Sequence, residues 1–214
     1  YTDVEVIGAV QHDASMQIAE RHLGLVPANE QEAALARVRH VGARVAAQVD
    51  LERLLAIADS AAELDIALPA AVPPPAERLR IGIAHDQAFG FYYGEDLDSL
   101  RAANVELVDI DTLHARSLPE VDGLVIGGGF PEMFMAELEA NVPLRRQIRD
   151  AIESGLPTYA ECGGLMYLSR SLNWQGQTRE MVGVVPGDTV MHARPVGRGY
   201  ARLQPTGDDR WQEA

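Results

Sequence analysis

A short extended run, Pro157 to Glu161, breaks at Cys162-Gly163-Gly164 and gives way to apolar residues at helical spacing: Leu165, Met166, Leu168 and Leu172. A strand that turns sharply into a helix through two glycines belongs at the carboxyl edge of a sheet. Cys162 is the chain's lone cysteine. At such a turn a thiol stands clear of the backbone, and the N–H groups and dipole of the following helix favour thiolate and can hold an oxyanion. The competing reading is a structural cysteine buried beside a helix cap, because free Cys is often buried. A second glycine cluster upstream tips the balance towards a nucleophile.

That cluster lies in Asp122-Gly-Leu-Val-Ile-Gly-Gly-Gly-Phe-Pro-Glu132. Leu124 to Ile126 reads as a buried parallel strand, and Gly127-Gly128-Gly129 ends it with backbone that a ligand can approach. Alone, the triplet reads equally well as a flexible strand-to-helix turn. Together with the cysteine turn it supplies half of an oxyanion hole, with one N–H from Gly128 or Gly129 and one from Gly163.

The rest of the C-terminal part alternates strand and helix. Arg80 to His85, Val105 to Ile110 and Leu124 to Ile126 read as strands. Glu95 to Ala103 and Val142 to Ser154 read as helices, the latter with Leu144, Ile148 and Ile152 on one face. This pattern predicts a parallel sheet covered on both faces, with ligands beyond the carboxyl ends of its strands. Asp86, Gly128 and Cys162 all follow strand ends and are expected to share one cleft. Beyond Gly183, Val182 to Gly187 and Tyr200 to Leu203 read as strands of an antiparallel extension.

The N-terminal part differs. Val4 to Val10 reads as a strand. A helix is expected from near Asn29, with Asn29 and Glu32 as a capping pair and an apolar stripe at Leu35, Val38, Val41, Val45 and Val49. Asp50 is expected to cap a second helix. Residues 67–79 contain three consecutive prolines, Pro73 to Pro75, and are expected to form a stiff linker between a unit at 1–66 and one at 80–214.

The formal charge is −14, from 18 basic against 32 acidic residues, with no basic run, so nucleic acid is not an expected partner. No apolar run is long enough to span a bilayer, and residues 1–20 show no basic-plus-apolar pattern, so no secretory leader is expected among them. One cysteine suits a reducing cytoplasm. Every basic residue other than His is Arg; without Lys, the chain holds no Gly-x-x-x-x-Gly-Lys-Ser/Thr phosphate loop.

The segments Asp122 to Glu132 and Tyr159-Ala-Glu-Cys-Gly-Gly-Leu-Met-Tyr167 together resemble the class I (triad) glutamine amidotransferase domain. The resemblance is to the type fused to cobyrinic acid a,c-diamide synthases and their relatives. Asp86-Gln-Ala-Phe-Gly-Phe-Tyr-Tyr-Gly-Glu-Asp-Leu97 resembles that subfamily's opening segment. Arg21-His-Leu-Gly-Leu25 is similar to the end of its ATP-dependent synthetase domain. The resemblance implies an α/β, flavodoxin-like three-layer amidotransferase domain preceded by a remnant of a P-loop-type synthetase domain. It implies Cys162 as nucleophile, L-glutamine as ammonia donor and a tetrapyrrole or corrinoid carboxylate as acceptor. ATP and Mg2+ would serve the full-length enzyme, and no metal is expected on this chain. The loop at Phe91, Tyr92 and Tyr93 either packs in the core or faces the cleft, with Tyr92 or Tyr93 near the thiol. Glu132 either caps the helix after the glycines or meets the substrate ammonium group. Arg198, with Arg194 and Arg202, either binds acceptor carboxylates or forms a solvated rim.

In that family the base is a histidine in a His-x-Phe-His-like segment well downstream of the nucleophile. No such segment follows Cys162. His85 and His192 are not assigned the role, and the expectation is a chain truncated at both ends. Exposed apolar faces at residues 1–66 are expected to favour a homodimer.

Overall fold

The computed structural model describes residues 4–18, 32–63 and 73–192, with 194, 196, 199, 200 and 202. The N-terminal part holds two helices, α1 (Glu32–Ala46) and α2 (Leu51–Asp59). Asp50 caps α2 as expected, its carboxylate accepting from Arg53 N (2.9 Å). The proposed Asn29 cap lies outside the described residues. Val4 to Val10 is not a strand. Among the described residues it makes one antiparallel bridge, Gly8 to Val49, at the short connection between the helices, where Asp50 N donates to Ile7 O (2.8 Å). Of the expected stripe, Leu35 and Val38 are exposed and Val41 and Val45 half-buried, while Val49, also half-buried, lies beyond the end of α1.

From Leu79 the alternation appears as read. The elements are β1 (Leu79–Ala84), β2 (Phe89–Phe91), α3 (Gly94–Ala102), β3 (Val105–Ile110), β4 (Gly123–Ile126) and β5 (Gly128–Gly129). They continue with α4 (Met135–Ala140), α5 (Val142–Glu153), β6 (Thr158–Ala160), α6 (Gly163–Leu168), β7 (Ser169–Trp174), β8 (Gln177–Glu180) and β9 (Val185–Val190). A four-stranded parallel sheet runs in the order β3-β1-β4-β6. The chain adds β3 on one side of β1 and β4 on the other. The carboxyl ends of β1 and β4 are therefore the switch point, where successive loops part and leave a crevice. The core lies against this sheet, with Ile126, Leu138, Leu144, Ile148, Tyr167 and Leu172 each at most 1% exposed.

Two stretches depart from the sequence reading. The helix after Cys162 ends at Leu168, and Leu172 lies on β7 instead. Ser169 turns extended, and its hydroxyl donates to Met166 O (2.6 Å), capturing a carbonyl that a continuing helix would use. The expected antiparallel extension is a mixed three-stranded sheet, β8-β7-β9, in which β9 runs parallel to β7. β8 returns to the start of β7, and the short Met181–Val184 segment then passes to the other side of β7. Arg145 Nη1 donates to Met181 O (2.7 Å) and Arg149 Nε to Val182 O (2.6 Å), fastening that crossing to α5. The Tyr200–Leu203 strand falls largely outside the described residues, as does the linker before Pro73.

Candidate active site

Cys162 sits between β6 and α6 with φ +48° and ψ −112°. Few side-chain-bearing residues adopt such a backbone, which costs on the order of 1–3 kcal/mol and persists only where its surroundings enforce it. The thiol is free and exposed, so the structural reading of a buried cysteine does not hold.

Glycines enforce the turn. Glu161 N donates to Ile126 O (3.1 Å), extending the β4–β6 pairing to the brink of the cysteine. Gly164 N then donates to Gly127 O (3.0 Å) and Glu161 O (2.8 Å). A Cβ on Gly164 would run into the Ile126 carbonyl, so only glycine lets α6 seat this closely on β4. Gly129 is equally confined, since a Cβ there would strike the Ala88 carbonyl. Phe130 N donates to Ala88 O (2.9 Å), so the loop after β1 and the residue that follows β5 are laced together.

The two clusters meet. A Cβ position on Gly163 lies 3.0 Å from Gly129 N and 3.0 Å from Pro131 Cδ. The structure therefore brings Gly129, Gly163 and the cysteine turn to one place, with Gly128 adjoining. The helix α6 is only six residues long, and what it offers is the N–H groups of its first turn, which lack intrahelical partners.

Tyr92 belongs to the same edge. Its hydroxyl donates to Ala84 O (2.6 Å) and accepts from Gly127 N (2.9 Å). Burial pushes its phenol up to about 12, the Gly127 N–H opposes that, and the Asp86 and Glu161 carboxylates add to it. Tyr93, beside it, is 77% exposed. Glu132 is buried in the 3-10 turn Pro131–Phe134, and no side chain caps that turn. Arg198 lies outside the described residues, and Arg194 and Arg202 are exposed.

Asp86, at the end of β1, is a residue whose weight the sequence did not reveal. One carboxylate oxygen accepts from Ala88 N (2.7 Å) and Phe89 N (3.1 Å), the other from Thr112 N (2.5 Å) and Thr112 Oγ1 (2.6 Å). Burial raises its proton affinity despite these bonds. The signal was present in Asp86-x-Ala88-Phe89, an Asx-turn pattern. His85 pairs with Asp109 (3.4 Å) and meets the Tyr92 ring edge-on. His192 is exposed. Among the described residues no hydrogen bond joins either histidine to Cys162, and no group of three His, Cys, Asp or Glu could hold a metal ion. No helix described is long and apolar enough to cross a membrane.

Residues 80–212 match the CobB/CobQ-like glutamine amidotransferase domain family. The chain is 44% identical to a cobyrinate a,c-diamide synthase of Magnetococcus marinus, over 99% of this chain and 46% of that protein. It is 41% identical to the synthase of the same name from Listeria monocytogenes, over 97% of this chain and 46% of that protein. With the Methanosarcina barkeri synthase it shares 42% identity over 89% of this chain and 43% of the relative. The chain thus spans about half the length of the relatives it matches. It belongs to the CobB/CobQ-like glutamine amidotransferase family.

Proposed function

We propose that this family member is the glutamine-hydrolysing half of an amidoligase that converts the a and c carboxylates of cobyrinate, or a closely related corrinoid, to amides. The strained, exposed Cys162, followed by a Gly163 whose Cβ position lies against Gly129, carries the reading. The thiolate attacks the side-chain carbonyl carbon of glutamine. The carbonyl oxygen takes up the electron pair and is held by N–H groups from Gly128 or Gly129 and from Gly163. Collapse of this adduct breaks the carbon–nitrogen bond and releases ammonia, leaving a γ-glutamyl thioester that water hydrolyses to glutamate. A general base accepts the thiol proton and returns it to the departing amine; neither His85 nor His192 is assigned that role.

Amide formation at a carboxylate needs prior activation, which ATP and Mg2+ supply in the complete enzyme. The chain holds no Lys and no phosphate loop, so no step on these residues runs through them. Residues 1–66 are assigned to the end of the synthetase domain and 67–79 to its linker. The resemblance around Arg21 to Leu25 supports the first assignment and the prolines Pro73 to Pro75 the boundary. The names of the relatives support the corrinoid acceptor, and the lone cysteine supports a cytoplasmic setting.

Intact mass after incubation with a chloroketone analogue of glutamine tests this directly. One adduct, lost in Cys162→Ser, is expected. A chain that iodoacetamide alkylates but the chloroketone leaves untouched has no glutamine pocket, and the reading fails.

A further inference from the structure

Tyr92 is 35 residues from the glycine triplet, yet its hydroxyl is bonded to it. The phenol oxygen spans the switch point, donating to Ala84 O at the end of β1 (2.6 Å) and accepting from Gly127 N just past β4 (2.9 Å). At this point the strands have stopped pairing. The register between β1 and β4 runs from Ile81–Gly123 to Ile83–Val125 and goes no further. The hydroxyl therefore takes the place of a ladder bond where the two backbones diverge.

Gly127 passes the connection on. Its carbonyl accepts from Gly164 N (3.0 Å), two residues beyond the nucleophile. Its own N–H is held by Tyr92, and its C–N plane leads directly into Gly128 and Gly129. A Cβ on Gly127 would lie 2.6 Å from Tyr92 Cε1, so the ring presses against this peptide as well as bonding to it. The two peptide units that meet at Gly127 are thereby each held, the one before it by Tyr92 and the one after it by α6. The Gly128 N–H belongs to the second of these units, and the Gly163 N–H lies one residue before the Gly164 that bonds the Gly127 carbonyl. The Glu161 carboxylate, adjacent to Cys162, is close enough to raise the Tyr92 phenol further.

We infer that Tyr92 is a positioning residue for the oxyanion hole: its hydroxyl fixes Gly127 by its N–H and, through the chain that follows Gly127 and the Gly164 bonded to its carbonyl, the N–H groups of Gly128 or Gly129 and Gly163. Tyr92 touches no reacting atom in this role. In the Phe91–Tyr93 loop the hydroxyl gives Tyr92 a main-chain partner in the glycine triplet. The inference rests on the glutaminase reading, because only a carbonyl substrate makes the donors matter.

The experiment compares Tyr92→Phe with the unaltered chain, using two thiol reagents. The chloroketone analogue of glutamine passes through a tetrahedral adduct whose oxyanion needs the hole; iodoacetamide displaces iodide and forms no oxyanion. In Tyr92→Phe the saturating chloroketone rate is expected to fall by about tenfold or more. Half-saturation should stay within about twofold, and so should the iodoacetamide rate. An unchanged chloroketone rate overturns the inference. So does an equal loss with both reagents, which marks a merely structural tyrosine.

A second variant guards against poor folding. 4-Aminophenylalanine at position 92 keeps the ring and a donor to Ala84 O but is a weak acceptor for Gly127 N–H. Its chloroketone rate should stay as low as that of Tyr92→Phe, and recovery to the unaltered rate would overturn the Gly127 link. An unaltered chain that only iodoacetamide labels fails at the glutaminase reading itself, an outcome separate from any effect of Tyr92.

Discussion

The two helices α1 and α2 and the body around α5 and α6 carry apolar residues at the same helical spacing, but the outcomes are opposite. In α5, Leu144 and Ile148 are at most 1% exposed. No residue of α2 is buried, and Leu51, Leu54, Leu55 and Ile57 face outward. Surface polar contacts hold the N-terminal part: Arg53 forks onto Glu5 (both contacts 2.6 Å) and Arg44 pairs with Asp13 (2.7 Å). Such exposed pairs contribute little to stability. An amphipathic stripe states that a helix needs a partner; it does not supply one. The body has that partner in its parallel sheet, and close glycine contacts then convert packing into a shaped site.

Substitutions on the two sides should separate sharply. The largest effect is expected at Gly164→Ala, whose methyl would run into the Ile126 backbone carbonyl. It should cost about 3 kcal/mol or more and abolish chloroketone labelling, read by chemical denaturation and mass. An Ala variant of native stability would mean that α6 does not seat on β4 as described. Leu144→Ala should cost about 3 kcal/mol through lost burial and a cavity. Its counterpart Leu54→Ala in α2 should stay within about 0.5 kcal/mol. Equal costs at the two leucines would erase the contrast and place α2 against a partner surface in solution.

Asp86→Asn sharpens the argument inside the site. An amide nitrogen facing the Thr112 N–H leaves buried donors opposed, at a cost of about 1–2 kcal/mol near neutral pH. The same carboxylate makes stability pH-dependent. Its proton affinity is higher folded than unfolded, so over the window between its two values the folded state binds more protons. Stability is fullest below the ordinary carboxylate range and declines as pH rises through the raised value. Denaturation midpoints across that range should show the decline, and Asp86→Asn should remove this contribution. A smaller gain is expected from Cys162→Gly, which loses the thiol but accepts the positive φ. It should stabilise the fold by about 1 kcal/mol while preventing labelling. Loss of stability in this variant would contradict the strain at the turn.

Much of the site could be read from residues because its constraints are local. Parallel strands buried on both faces appear as short apolar runs, so β1, β3, β4 and β6 were visible, and Cys162-Gly163-Gly164 marked the turn. The hairpin β7–β8 was not seen. Leu168 and Leu172 stand four apart, which a helix and a strand both allow, and the Gln175-Gly176 turn was the overlooked signal. Both of its residues have positive φ, +49° and +75°, as a two-residue hairpin turn demands. The role of Tyr92 was out of reach for another reason: its acceptor and donor come from β1 and from the residue after β4.

By itself the sequence determined the α/β alternation and the sharp turn at Cys162 with the glycines beside it, since backbone preference and side-chain size act over a few residues. Only the tertiary structure decided that Gly129 meets Gly163, that Asp86 joins the loops after β1 and β3, and that Tyr92 binds Gly127. Those contacts depend on strand order in the sheet, which sets which distant backbone groups lie within hydrogen-bond reach.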